Sequence, residues 1–239
     1  MKKTILLFCC FLCLFTSCKT LVTPNNLKTT SQQLSLGSIG ITNGHIFKKE
    51  FKATAFPSYK NPIKITARLL PFGKKTSKNY VIAKETQLHQ TNLLEIDSLE
   101  VPQHYVVFRL TDKLSVVNSL NTSENQTVKD YVIHHTSANI ITQVAMAFNS
   151  KTLETLQKAE AIFLIESSYK TYALQLYQQG QKTARISLSE GIVFGYETAS
   201  FCWQENNRHQ LNLIDIVSSK NDCEQKVHPQ KKEKDVFDF

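Results

Sequence analysis

Three features of the chain predict a mainly β, α+β fold with antiparallel sheets. Apolar residues recur with period two over most of the length. Five apolar segments in the last third are joined by connections too short to cross over, and helical spacing occurs in only two short stretches. The composition is that of an ordinary folded chain: 239 residues, 41% hydrophobic and 20% charged, with 7 Gly and 6 Pro. Those values exclude disordered, coiled-coil and collagen-like classes.

The elements follow in chain order. Residues 1–17 read as a signal peptide, because Lys2-Lys3 precedes an apolar run from Ile5 to Phe15. A run of that length is too short to span a ~30 Å hydrocarbon core as a helix. Thr16-Ser17-Cys18 resembles the lipobox of bacterial lipoproteins, in the relaxed form of Bacteroidota-type envelope proteins, with Phe15 where Leu is usual. The resemblance implies that Cys18 becomes the first mature residue and is lipidated, anchoring the protein to the outer membrane; the alternative is an ordinary cleaved signal. Surface-exported lipoproteins of that type resemble one another in an acidic run after the cysteine. Here no acidic residue precedes Glu50, so the periplasmic side is expected. Residues 18–35, rich in Thr, Asn, Gln and Ser, read as a flexible tether.

A basic, β-rich part is expected over 36–110. Phe47, Lys49, Phe51, Ala53 and Ala55 alternate with Lys48, Glu50, Lys52 and Thr54. Ile63, Ile65, Ala67 and Leu69 alternate with Lys64, Thr66 and Arg68. His104–Leu110 is a β-branched and aromatic run. The second part, 111–223, opens with a helix over Asp112–Leu120 behind an Asp or Thr cap. A strand over Ala138–Phe148 and a second short helix over Ser150–Ala159 follow. From Ala161 the segments AIFLIES, YKTYALQLYQQ, KTARISL, IVFGYETASFCW and QLNLIDIV form a C-terminal β-meander. Turn signals stand at Gln179-Gly180, Glu190-Gly191 and Asn206-Asn207. Gln103–Gln179 contains neither Gly nor Pro, which leaves Asn121–Gln126 as the expected surface loop. Residues 224–239 read as a disordered charged tail.

Charge is bipolar. Lys48–Lys84 carries ten basic residues against the single Glu50, whereas Glu85–Cys223 carries ten basic against fifteen acidic. In the strand reading, Lys48 with Lys52 and Lys64 with Arg68 share faces, and Lys74, Lys75 and Lys78 lie in the loop that follows. This basic set is the expected binding surface for an anionic lipid or an acidic envelope protein. Nucleic acid is not an expected partner: parity sends Phe47 and Phe51 inward, away from any stacking role.

Of the six cysteines, Cys9, Cys10 and Cys13 lie within the signal peptide. Cys202 and Cys223 then remain for a disulfide closing the C-terminal strands, or as two free thiols. No CxxC, HExxH, GxSxG, phosphate loop or calcium loop is present, so no metal, cofactor or catalytic residue is assigned. The histidines are dispersed, and His134-His135 is expected to point its rings to opposite faces of a strand. Glu160 with Glu166, or Glu190 with Glu197, is a carboxylate pair at arbitrary spacing. Asp97-Ser98-Leu99 is similar to the O-glycosylation signal of exported Bacteroidota-type proteins, which makes Ser98 a candidate modification site. Together these readings imply a lipid-anchored binding or scaffolding module. The alternative is an envelope hydrolase whose site is assembled from residues distant in sequence.

Overall fold

A computed structural model describes residues 27–45, 48–88 and 102–223; at 44, 45, 48, 49 and 88 the backbone alone is described. The expected signal peptide over 1–17, Cys18, Ser98 and the expected tail over 224–239 lie outside the described residues. Within them, eleven strands form an antiparallel sheet. Its centre is β4 (Ile63–Pro71), β5 (His104–Leu110), β6 (Asn139–Ala147) and β10 (Ile192–Glu205), in that order. On the β4 side it continues through β7 (Ala161–Ser168), β8 (Thr171–Gln178) and β9 (Gln181–Ser187). On the far side β10 takes β1 (Lys28–Thr29) along its first half and β11 (Leu211–Val217) along its last six residues. A hairpin of β2 (Ile39–His45) and β3 (Lys48–Ala55) joins the start of β6 through Ile39 and Gly40.

Helices cover both faces. On one lie α2 (Lys113–Leu120), α3 (Gln126–His134) and α4 (Ser150–Lys158), whose Val116, Val117, Leu120, Val132 and Leu156 enter the main core with Phe108, Val144 and Met146. On the other, α1 (Lys74–Leu88) lays Tyr80 and Ala83 over Tyr105, Val107, Ala145 and Phe194. The two expected helices are α2 and α4; α1 and α3 are additional. Asn121–Gln126 is a 3-10 turn leading into α3, and the turn is internal rather than exposed at Asn125. The Asn125 amide donates to the Ser58 and Ser119 carbonyls and accepts from the Ser58 N–H.

The expected tether does not extend to residue 35. Lys28 and Thr29 pair with Tyr196 and Gly195, and Leu34 and Leu36 are buried. Nor does the chain divide at 110/111, because β5 on one side of that boundary pairs with β6 on the other. The C-terminal series splits as well: β7, β8 and β9 form a meander and β10 with β11 a hairpin, but β9 and β10 do not pair with each other. Gln179 and Gly180 have φ of 51° and 74°, the left-handed pair that a two-residue hairpin demands. Gly191 is different. A Cβ there would lie 2.7 Å from the Phe148 ring, so this glycine admits a close approach and makes no hairpin turn.

The α2 start follows from Asp112. Its carboxylate accepts the Ser115 N–H at 3.0 Å and the Ser115 hydroxyl at 2.6 Å. These bonds hold its carboxyl below the ordinary range, with the Ser115 hydroxyl the largest cause. Asp112→Ala should therefore cost about 1 kcal/mol in urea unfolding. A lowered folded value means that the ionic part of this stabilisation is present above the unfolded carboxylate value, near ~3.9, and is lost as pH falls through the folded one. The stability difference between wild type and Asp112→Asn should accordingly shrink below about pH 4. A difference that stays constant from neutral pH down to acid would refute this account.

Candidate functional site

The parity of β4 gathers part of the basic set. Ile63 and Ile65 are buried in the main core while Lys64, Thr66 and Arg68 are exposed. Across the sheet Arg68 stands opposite Val107 and Leu70 opposite Tyr105, and both partners lie beneath α1. Lys64, Thr66 and Arg68 are therefore on the α1 face. Thr66 stands opposite Arg109, whose Nε donates to Gln143 Oε1 at 2.6 Å. Arg109 thus joins the basic face. Its signal is visible in HYVVFRL, where Arg109 has the same parity as Val107 and Tyr105.

Lys74, Lys75 and Lys78 stand on α1, not in a loop. Thr76 brackets the helix start, accepting the Gly73 N–H at 2.8 Å and donating to the Gly73 carbonyl. Buried Tyr80, Ala83 and Gln87 set the inner side of the helix. The Gln87 amide acts as a short strand against Val193, donating to its carbonyl at 2.6 Å and accepting its N–H at 3.1 Å, where β10 slips register. The outer side carries the three lysines together with Val81 and Ile82, which are 40% and 49% exposed.

The rest of the basic set is elsewhere. Lys52 is exposed on β3, opposite Ile41, and among the described residues β3 pairs with β2 and not with β4. The Lys48 side chain lies outside the described residues. The neighbouring aromatics are structural: Phe51 packs 5.7 Å from Tyr196, and Tyr59 is buried with its hydroxyl donating to the Gly37 carbonyl at 2.8 Å. Burial pushes the Tyr59 phenol up, so it remains a donor.

Side chains with catalytic potential have structural partners. Glu160 accepts the Gln179 N–H, Glu166 the Ser58 hydroxyl and Glu190 the Ser187 N–H. Glu160 and Glu166 stand at opposite ends of β7, about 20 Å apart at ~3.3 Å per residue. The expected strand at His134-His135 is instead the end of α3. Both rings bond to carbonyls four residues back, Asp130 and Tyr131, because the helix turn brings those acceptors beside them. Among the described residues no three His, Cys, Asp or Glu side chains converge as a metal site. Cys202 and Cys223 form a disulfide with Cα atoms 5.6 Å apart. Cavities flank the sheet among the described residues. One of about 440 Å³ lies at the polar β10–β11 hairpin, lined by Glu205, Asn206 and Arg208. Another, about 320 Å³, lies between β4, α4 and β7.

Compared with known proteins, the chain matches no family model and no curated protein. Among solved structures it is similar to a chain titled "Cryo-EM structure of the Gasdermin A3 membrane pore", at 12% identity and a TM-score of 0.32. That likeness covers 84% of this chain and 91% of the other. Superposition at that level fixes neither topology nor activity.

Proposed function

We propose that the chain is an envelope lipoprotein, anchored through Cys18 on the periplasmic side of the outer membrane. Its basic face then binds anionic lipid headgroups. The observation that carries this reading is the outer side of α1, where Lys74, Lys75 and Lys78 stand beside exposed Val81 and Ile82. Lysines with apolar neighbours suit an interface in which charge meets headgroups and methyl groups enter the boundary. Lys74 and Lys75 also occupy the first helical turn, where the helix dipole is already positive; such placement costs about 0.3–1 kcal/mol per charge. An anionic surface relieves that cost. Lys64, Arg68 and Arg109 extend the same face. The disulfide agrees with residence in an oxidising compartment.

The test is sedimentation of the soluble chain from Lys19 onward with vesicles. Binding to anionic vesicles should exceed binding to zwitterionic ones and fall with salt, as the screening length drops from about 10 Å at 0.1 M to 3 Å at 1 M. The triple variant Lys74→Gln, Lys75→Gln, Lys78→Gln removes roughly 1 kcal/mol per charge, a weakening of roughly 100-fold. Lys52→Gln, on the β2–β3 hairpin, should change binding little. Equal binding by wild type and the triple variant would refute the lipid reading.

A further inference from the structure

Among the described residues, the second edge of β4 is paired along only part of its length. The Lys64 carbonyl accepts the Thr111 and Asp112 amides, and the Phe72 N–H donates to the Gln103 carbonyl. Even-numbered positions of this strand therefore turn their backbone groups toward β5. Odd-numbered positions turn theirs the opposite way, since N–H and C=O of one residue share a side and successive residues alternate. Strand β7 meets that second edge at Ile63, Lys64 and Ile65, then ends its pairing opposite Ile162. Past this point, among the described residues, no strand pairs with Ala67–Pro71 on that side. The N–H and C=O groups of Ala67 and Leu69 point off the sheet. Pro71 closes the stretch, because it has no N–H to present.

Beside this edge lies the cavity of about 320 Å³, lined by Ile65, Ala67, Leu69, Val106, Leu156 and Ala159 among others. On one side of the open edge apolar groups stand beside Gln157 and Glu160, while the other, the α1 face, carries exposed Lys64 and Arg68.

We propose that the open edge of β4 takes an extended segment of another protein as an added antiparallel strand, continuing the line of β7 beyond Ala161. In this mode main-chain bonds give affinity and alternate side chains give selectivity. The fitting segment alternates apolar residues, which enter the groove under α4, with acidic residues, which lie on the α1 face opposite Arg68. A second copy of this chain fits poorly. Antiparallel pairing of two β4 edges about Arg68 would set that residue against its own copy, and like charges across a pair are destabilising. The site is distinct from the lysines of α1, so its failure and that of the lipid reading are separable.

The probe is a fluorescein-labelled hexapeptide alternating Glu and Val, titrated into the mature protein and followed by anisotropy. Saturable binding is expected, with the Leu69 amide slowed in hydrogen exchange when peptide is present. Ala67→Pro removes an N–H that β5 does not use and should weaken binding at least tenfold. A peptide N-methylated at alternate residues should bind wild type at least tenfold more weakly, which tests the ladder without altering the protein. Arg68→Gln should weaken binding severalfold, and the three-lysine variant of α1 should leave it unchanged. The proposal is overturned if the peptide does not bind saturably, if the N-methylated peptide binds as tightly, or if a Lys/Val peptide binds equally well. Dimerisation of the free protein that Ala67→Pro abolishes would overturn it too, by making a second copy the occupant.

Discussion

Gly40→Ala should destabilise the fold by about 3 kcal/mol, the upper part of the range for overpacking a closed site. Gly40 pairs with Ala53 in the β2–β3 hairpin, just past a register slip after Ile39, and with Asn139 of β6. A Cβ at position 40 would fall on the Lys52 carbonyl and lie 2.9 Å from the Ala53 Cα. These are backbone atoms of a paired strand, so they cannot swing aside as a side chain would. Relief requires the hairpin to part from β6. Gly73→Ala is the control: its Cβ would meet nothing nearer than Thr76 Oγ1 at 4.0 Å, and the change should fall within about 0.5 kcal/mol of wild type. Urea midpoints of the two variants check this. A Gly40→Ala midpoint equal to wild type would show that β2 and β3 do not pack as described.

The elements legible in the sequence are those in which one local rule decides the structure. His104–Leu110 is buried at four successive positions and again at Leu110, as a β-branched run in the middle of a sheet should be. Asp112 and Asn149 cap α2 and α4 through side-chain bonds three residues on, which is why both helices show at their starts. The helix α1 was hidden for the opposite reason. Its inner side ends on a polar Gln87 while Val81 and Ile82 stand outside, so burial and hydrophobicity disagree and no 3.6-residue period emerges. The same inversion makes the helix a candidate surface. In α3, Tyr131 and Ile133 are only half-buried and Val132 alone is fully enclosed, which again blurs the pattern.

Gly191 illustrates a second kind of failure. A glycine between two strand-like segments reads as a turn, but Gly191 has extended backbone and yields to the Phe148 ring. The connection from β9 to β10 thus joins two strands that do not pair with each other. No local signal distinguishes a glycine that turns the chain from one that admits a distant ring; only the packing does. The basic face was half-legible on the same grounds. Alternation placed Lys64 and Arg68 together, but the distance between β3 and β4 depends on β2 joining β6, a contact between residues about 100 apart in the chain.

Replacing Cys202 and Cys223 together by alanine should lower stability by about 3 kcal/mol, the chain-entropy value for closing a loop of this length. The bridge spans 21 residues and encloses β11. It joins a buried cysteine of β10 to one that follows a 3-10 turn, in which Ser219 and Asp222 cap each other. Other bonds hold β11 in place without it. The Asn121 side chain donates to the Leu213 carbonyl and accepts its N–H, and Lys113 Nζ donates to the Ile216 carbonyl at 2.8 Å. The native hairpin should therefore survive removal of the disulfide, and the loss should fall on the unfolded state, which gains the freedom that the cross-link denied it. Trp203, the only tryptophan, is buried next to Cys202 and reports the outcome directly. Its emission maximum in the folded alanine variant should match wild type, while the urea midpoint falls and the fluorescence and circular dichroism transitions stay coincident. A red-shifted native emission would show instead that the disulfide holds β11 in place, and an unchanged midpoint would show that the bridge adds no stability.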